Sequence, residues 1–281
     1  MKNESDWVIE SPKKWLNFNL PEVWAYRDLL KLFVKRDFVT YYKQTILGPL
    51  WFLIQPLLTT FVFTLVFGKI GGFKTDGIPQ PLFFMAGITA WNYFADCLLK
   101  CSTVFKDNFG IFNKVYFPRI IVPFSIVCSN LIKFGFQFLL LISMMFFYLK
   151  CNVDIFYFGK ILIILPILIF IMAILGFGFG MLISAMTTKY RDLAFIISFV
   201  VQLMMFTTTV AFPLSSVQHQ YHLIILLNPM TAVIETFRSF LFGTTNFNLV
   251  PLVYSLVVAI CVYIIGLLAF NKVEQTFVDT I

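Results

Sequence analysis

The sequence predicts an all-α integral membrane protein with six transmembrane helices. Its 281 residues are 59% hydrophobic and only 12% charged, and its mean hydropathy is +0.87. An ordinary soluble domain has about 25% charged residues, so this chain lacks the polar surface that a soluble protein needs. The composition therefore excludes a soluble enzyme, a disordered chain, a disulfide scaffold and a collagen-like fibre.

Apolar runs locate the helices. A helix needs roughly 20 apolar residues to cross the hydrocarbon core, and six runs reach or approach that length: 49–68, 82–100, 120–148, 161–185, 193–212 and 249–270. The third run is long enough to require a tilted or protruding helix. Two shorter runs, 223–227 and 232–242, flank Asn228-Pro229, and we expect them to form two short re-entrant half-helices before the last span.

The distribution of Lys and Arg predicts the orientation. With the N-terminus in the cytoplasm, fifteen of these residues lie on the cytoplasmic side and five on the other, while Lys133 lies inside the third span. Cytoplasmic loops carry the excess of Lys and Arg in membrane proteins, so both termini are expected in the cytoplasm. The chain then divides into a cytoplasmic segment 1–48, a six-span domain 49–270 and a cytoplasmic tail 271–281.

An amphipathic helix is predicted within the N-terminal segment, from Glu22 to Lys43. At 100° per residue its apolar residues fall within one arc, and most of its charged residues lie opposite. A basic amphipathic helix before a first span is typical of an interfacial helix on the membrane surface. The alternative is that it only anchors the terminus. The apolar arc comprises Val23, Tyr26, Leu30, Phe33, Val34, Phe38 and Tyr41.

The sequence contains no recognisable catalytic constellation. It has no Walker A, GxSxG or HExxH pattern, and these patterns supply nucleotide binding, an activated serine and a zinc site respectively. We therefore predict no catalytic, cofactor-binding or metal-binding residue in this chain. The net charge of +7 is attributed to membrane orientation, and no nucleic-acid partner is expected.

Two ionisable residues fall inside the predicted spans. Asp96 lies near the inner end of the second span, and Lys133 lies near the middle of the third. Charges at this depth usually face the protein interior or an aqueous path. One interpretation is an Asp96–Lys133 ion pair, a second is that Lys133 faces an anionic substrate, and a third is that the lysine extends towards the cytoplasm.

A mixed stripe follows the first span. Its members are spaced four residues apart, which places them on one helix face, and it combines aromatic rings with an amide and a hydroxyl. Sugars stack on aromatic rings and form hydrogen bonds with amides, so the stripe suits a transport pathway for saccharides. Its members are Trp51, Gln55, Thr59 and Phe63.

The loop 106–119 is the most informative segment on the predicted cytoplasmic side. It carries apolar residues among basic ones, and it is too apolar for a free loop and too short to span the membrane. A short helix that docks into a groove on another protein would explain this composition. The alternative is a helix lying flat on the membrane.

Four segments in order resemble one family. They are RDFVTYYKQTILGPLWFLIQPLL (36–58), NKVYFPRIIVP (113–123), KYRDL (189–193) and LLNPMTAVIETFR (226–238). Together they are similar to the membrane subunit of ABC-2 type polysaccharide exporters, the permeases for O-antigen, capsule and teichoic acid. The resemblance covers nearly the whole chain. An N-terminal extension of about twenty residues departs from the family pattern.

The resemblance implies a homodimer bound to two copies of a separate ATPase in a bacterial inner membrane. ATP and Mg²⁺ would then belong to the ATPase, and the amphipathic helix and the loop 106–119 would contact it. The implied ATPase contact residues are Phe109, Phe112, Asn113 and Lys114. The implied pathway on the first and fifth spans adds Gln202, Thr207 and Thr208 to Trp51 and Gln55. The implied outer gate lies within 214–245 and includes Asn228, Pro229, Met230, Glu235 and Arg238.

Three functions follow as hypotheses from these observations. The first is export of a lipid-linked, O-antigen-like polysaccharide, powered by ATP hydrolysis in the partner. The second is a permease of the same fold that exports teichoic acid, a drug or a small lipid. The third is a membrane-embedded transferase, which would need acidic residues or histidines clustered at one membrane face, whereas this sequence disperses them.

Overall fold

The computed structural model describes residues 24–43, 45–112, 114–115, 117–149, 158–190, 192–243 and 249–279. All its long elements are helices. We number them α1 (Arg27–Tyr42), α2 (Trp51–Phe63, continued by a π-helix Thr64–Ile70), α3 (Gln80–Ser102), α4 (Val104–Asp107), α5 (Phe109–Phe112), α6 (Ile121–Leu149), α7 (Phe158–Thr187), α8 (Leu193–Thr207), α9 (His222–Leu226), α10 (Pro229–Phe242) and α11 (Leu249–Asp279).

Within the described ranges, five helices are long and apolar enough to cross a membrane: Gly48–Ile70, Gln80–Ser102, Ile121–Tyr148, Ile163–Thr187 and Leu249–Glu274. They correspond to the predicted spans one to four and six. Helix α6 has 29 residues and is therefore about 43 Å long, which exceeds the roughly 30 Å of hydrocarbon. A helix of this length must tilt in the membrane or extend beyond it, as the sequence predicted.

The fifth predicted span is shorter than the sequence indicated. We expected a helix over 193–212, but α8 has 15 residues and ends at Thr207. At 1.5 Å per residue it is about 22 Å long, less than the hydrocarbon thickness. The apolar run continues through a non-helical turn at residues 208–212. Arg238 contacts this turn, as described below, and hydropathy cannot reveal such a non-local contact.

Helix α3 lies at the centre of the bundle. In its most apolar stretch 83% of the residues are buried, compared with 22% in the first, third and last spans. It packs against α2, α6, α7, α8 and α10. Since nearly every face of α3 touches protein, the other spans are arranged around it, and their outward faces are available to lipid or a partner.

Three glycines of α7 allow close helix packing on two sides. A side chain at Gly176 would lie 2.7 Å from Cys97 Cβ of α3, and one at Gly180 would collide with Cys101 of the same helix. On the opposite face, a side chain at Gly178 would lie 2.8 Å from the Tyr263 backbone of α11. Small residues let membrane helices approach closely where lipid supplies no hydrophobic drive between them. Helix α7 thus joins α3 to α11.

Aromatic side chains form a second cluster where α1, the loop 103–120 and the end of α11 meet. We call this end of the bundle the near face or near side, and the end that carries α9 and α10 the far face or far side. Phe105 stacks on Phe270 of α11 with ring centroids 4.6 Å apart, and Phe33 of α1 packs against Phe117 at 5.8 Å. We call the buried rings Phe33, Phe105, Phe112, Phe117 and Phe270 the near-face cluster.

The glycine contact between α7 and α11 yields a stability prediction. In the Gly266→Ala variant, the new methyl group would collide with the Gly178 carbonyl oxygen. Overpacking of this kind costs about 1–3 kcal/mol. We expect a lower melting temperature in detergent, measured by intrinsic fluorescence.

Gly135→Ala provides the matched control, because no atom of the described residues lies within 4 Å of a methyl group at that position of α6. Alanine favours a helix over glycine by about 1 kcal/mol, so this variant should melt at the same or a higher temperature. Equal melting of wild type and Gly266→Ala would contradict close packing of α7 on α11.

Candidate transport pathway and gate

The far ends of α2 and α8 meet at one aromatic contact. The Phe206 ring of α8 lies 6.2 Å from Phe63 and 6.4 Å from Phe67, measured between centroids. Gln202 precedes Phe206 by one turn, and Thr59 precedes Phe63 by one turn, so these polar groups follow the same faces towards the near side. We call the surface between these two helices the α2–α8 groove.

The predicted pathway residues divide between this groove and the interior. Trp51 and Gln55 of α2 are exposed, as are Gln202 and Thr207 of α8. Thr59 is half-buried and donates to the Gln55 carbonyl oxygen at 3.0 Å. Amide and hydroxyl groups therefore lie at the surface of two neighbouring helices, where a substrate or a second protein can reach them.

Three other predicted pathway residues lie inside the protein. Phe63 is buried against Phe84 and Phe206. Thr208 is fully buried and donates to the Met205 carbonyl oxygen at 2.8 Å. Because both side chains are buried, neither is available on the exposed surface of α2 and α8. The third residue is Lys133.

Lys133 forms an ion pair with Asp96. Its ammonium lies 2.6 Å from Asp96 Oδ2, and both side chains are largely buried. A second polar contact lies about one turn away, where Lys100 donates to the Asn130 side chain at 3.1 Å. The structure thus agrees with the ion-pair interpretation of Lys133 and gives its charge a partner within the chain.

This pair predicts compensating substitutions. Removal of one partner of a buried ion pair costs about 3–5 kcal/mol because it leaves the other charge uncompensated. We therefore expect Lys133→Met to lower the melting temperature, and a second change, Asp96→Asn, to restore most of the loss. Thermal unfolding of the single and double variants measures this. A double variant as unstable as Lys133→Met would contradict a mutual pair.

The break at Asn228-Pro229 is confirmed. Segments His219–Leu226 and Pro229–Phe242 meet at an angle of 103°. The Asn228 side chain caps α10 by accepting a hydrogen bond from the Met230 N–H at 3.0 Å. Pro229 follows at the first helical position, where its missing N–H costs nothing. The neighbouring residues Asn228 and Pro229 therefore determine where α10 begins. Helix α10 then runs back into the bundle, with Met230 fully buried.

Arg238 of α10 binds backbone carbonyl groups. Its guanidinium donates to the carbonyl oxygens of Phe83 at 3.2 Å and Val210 at 2.9 Å, and also to that of Thr209. It lies 3.5 Å from the centroid of the Phe83 ring, within the range of a cation–π contact. The residue is only 2% exposed. Arg238 thus joins the re-entrant helix to α3 and to the turn after α8.

Glu235 is a weaker partner of Arg238. The two charged groups are 3.8 Å apart, and Glu235 Oε1 makes no hydrogen bond among the described residues. The pair lies within one chain, three residues apart on α10. The burial of Arg238 leaves no exposed guanidinium for a pairing across a dimer axis.

Arg238→Met tests which contact is important. The variant removes the hydrogen bonds of Arg238 to three carbonyl oxygens and leaves a carboxylate without a cation, so we expect a loss of about 3–5 kcal/mol in stability. Glu235→Gln keeps every carbonyl contact and should cost much less. Melting temperatures in detergent compare the two. Equal losses would mean that the ion pair, and not the carbonyl contacts, stabilises this region.

The near-face loop presents a different surface from the one predicted. Phe112 is 6% exposed and packs against Phe105 and Phe117 at 5.9 and 5.8 Å, within the near-face cluster. Phe109 is 47% exposed, and Lys114 and Val115 are also exposed. Phe112 therefore packs inside the near-face cluster and is not exposed on the surface of the loop. Asn113 lies outside the described residues.

Two arginines attach this loop to its neighbours. Arg36 of α1 donates to Asn108 at 3.3 Å. Arg119 donates its backbone N–H to Glu274 Oε1 at 3.4 Å and its guanidinium to the Glu274 carbonyl oxygen at 3.1 Å. Partial burial lowers the pKa of Arg119, and the nearby Glu274 charge opposes this shift. Sequence reasoning missed these links because their partners lie far apart in the chain.

The fold and these features define a multi-pass membrane permease: a helical bundle with a re-entrant helix on one face and a compact helical loop on the other. The family model of the ABC-2 type transporter matches residues 28–242, and the chain belongs to this family.

The chain is similar to an O-antigen export system permease protein RfbA of Klebsiella pneumoniae, with 26% identity covering 90% of this chain and 94% of the relative. A protein of the same name from Myxococcus xanthus is 24% identical, covering 92% and 98% respectively.

Proposed function

We propose that this protein is the channel-forming subunit of an ABC exporter that moves a lipid-linked, O-antigen-like polysaccharide across a bacterial inner membrane. The observation that carries this proposal is the α2–α8 groove, which presents amide, hydroxyl and aromatic side chains on membrane-embedded helices. Amides both donate and accept hydrogen bonds, as the hydroxyls of a glycan require. The O-antigen permeases among its relatives support the same substrate class.

A second copy of the chain completes the pathway in this proposal. One protomer supplies only one wall, because Gln55 and Gln202 are exposed on the surface of the single chain. Helix α8 also carries exposed apolar side chains, including Phe195, Phe199 and Leu203. Most homo-oligomers have two-fold symmetry, and two grooves facing each other would enclose a channel. Both termini lie in the cytoplasm in this arrangement.

ATP hydrolysis is assigned to a separate subunit, present in two copies. ATP and Mg²⁺ bind that partner, since this sequence has no Walker A pattern. The contact surface proposed here is Phe109, Lys114 and Val115, together with Asn113. Because Phe105 and Phe112 of the loop pack against Phe270 and Phe117, a displacement of the loop would move the near end of α11.

Gln202→Leu tests the proposed pathway. The change removes an exposed amide from α8 without altering a described hydrogen bond. Loss of one hydrogen bond to a passing glycan corresponds to about a threefold to tenfold weaker interaction, and we expect the export rate to fall by a similar factor. The assay is appearance of polysaccharide outside the inner membrane, with expression and ATPase association measured in parallel.

Cys261→Leu is the control for Gln202→Leu, because it makes an exposed position of α11 more apolar outside the groove. It should export normally. Normal export by Gln202→Leu, with the protein correctly assembled, would contradict the assignment of α8 to the pathway.

Phe109→Ser and Phe112→Ser separate docking from folding. The half-exposed Phe109 contacts the ATPase in this proposal, so its replacement should abolish co-purification of the ATPase and lower the melting temperature less than Phe112→Ser does. Phe112 is buried, and removal of a buried aromatic ring costs about 3–5 kcal/mol, so its replacement should lower the melting temperature. Retained ATPase binding by Phe109→Ser would contradict the proposed contact.

A further inference from the structure

A cavity of about 530 Å³ lies on the far side of the bundle, where α2 ends, α3 begins and α6 ends. This volume is within the roughly 300–1,000 Å³ of typical small-molecule sites. Since three spans end or begin around it, the cavity lies at the depth of the membrane–water interface. The walls comprise Phe61, Thr64, Leu65, Lys69, Pro79, Gln80, Pro81 and Tyr148.

Three polar groups at this cavity have no hydrogen-bonding partner among the residues that the structure describes. The Lys69 ammonium, the Gln80 amide and the Tyr148 hydroxyl make no hydrogen bond or ion pair with any other residue that the structure describes. All three can donate hydrogen bonds. Among the described lining residues there is a cation and no carboxylate, so the lining favours an anion and disfavours a positively charged group.

The backbone around the cavity is specialised. Thr64–Ile70 forms a π-helix, with the Gly71 N–H bonded to the Val66 carbonyl oxygen five residues earlier at 2.8 Å. Such segments occur frequently at functional sites. Gly68 lies beside Gln80, and a side chain at position 68 would collide with the Gln80 amide. The absence of a side chain at Gly68 therefore gives this amide its place at the cavity.

The apolar part of the lining indicates the rest of the ligand. Phe61 and Leu65 precede Lys69 by two turns and one turn on the same helix, and Phe61 is an exposed ring. A lysine or tyrosine near a helix end commonly places its polar tip at the lipid headgroups and its apolar part along the chains. An amphiphile with an anionic head and an acyl chain matches this cavity, because the cavity has a polar end and an apolar wall.

We propose that this cavity binds an anionic phospholipid, with the headgroup phosphate at Lys69, Gln80 and Tyr148 and an acyl chain along Phe61 and Leu65. The bound lipid stabilises the π-helical end of α2. This site is separate from the α2–α8 groove, and its occupancy does not depend on which substrate the protein exports.

Native mass spectrometry of the full chain tests the proposal. Delipidated protein in detergent is given equal amounts of phosphatidylglycerol and phosphatidylcholine with identical acyl chains. The wild type should retain phosphatidylglycerol in preference, and Lys69→Gln should reduce that preference about fivefold, the effect of one basic residue near an anionic lipid surface. Phosphatidylglycerol should also raise the melting temperature of the wild type but not that of Lys69→Gln.

Lys74→Gln is the matched control, because this exposed lysine follows the same helix end without lining the cavity. It should behave as the wild type. A second variant, Leu65→Trp, fills the cavity and should reduce retention of both lipids. Equal loss of preference in Lys69→Gln and Lys74→Gln, or unchanged retention in Lys69→Gln and Leu65→Trp, would overturn the proposal.

Discussion

The arrangement of the far side depends on one buried guanidinium. Helix α8 ends at Thr207, so the following backbone needs partners for its carbonyl groups within the bundle. Non-helical backbone at membrane depth is tolerated only where it is buried in protein or lines an aqueous cavity. Arg238 satisfies the carbonyl groups of Thr209 and Val210 and also binds that of Phe83. A side chain with five donors in a fixed plane suits this role.

Arg238 also requires space between helices, which Gly87 of α3 provides. A side chain at Gly87 would lie 2.5 Å from the guanidinium and 3.2 Å from the Val210 backbone. The re-entrant helix, the end of α8 and the central helix α3 therefore meet at one point. In the proposed exporter, this point connects the gate region to a helix of the pathway, so movement of α10 would be transmitted directly to the end of α8.

The near face is organised by apolar contacts instead. Rings from α1, the loop and α11 form one cluster, and Arg36 and Arg119 fix the loop at its margins. Helix α7 joins the central helix to α11 through its glycines. A route of close contacts thus leads from the loop through α11 and α7 to α3, and from α3 to Arg238. This route is a structural basis on which a partner on one face could influence the other.

Local chemistry made much of the fold predictable. Five of the spans were found from hydropathy alone, and the break at Asn228-Pro229 followed from the lack of an N–H in Pro229. Non-local contacts limited the rest. Nothing in the run 193–212 signals that Arg238 binds its last turn, and a loop with helices of four residues gives no periodicity to show that Phe112 points inward. The spacing of Gly176 and Gly180, four residues apart, was a usable packing signal.

Hydrogen exchange of Arg238→Lys in lipid nanodiscs tests the central role of this residue most directly. Lysine keeps the charge but replaces the planar guanidinium by a compact ammonium, so the flat arrangement of donors that reaches all three carbonyl groups is lost. We expect faster amide exchange in residues 205–213 and in α10, while the amides of α7 and α11 stay as protected as in the wild type. Unchanged exchange in residues 205–213 would show that another interaction holds this turn, and would contradict the account.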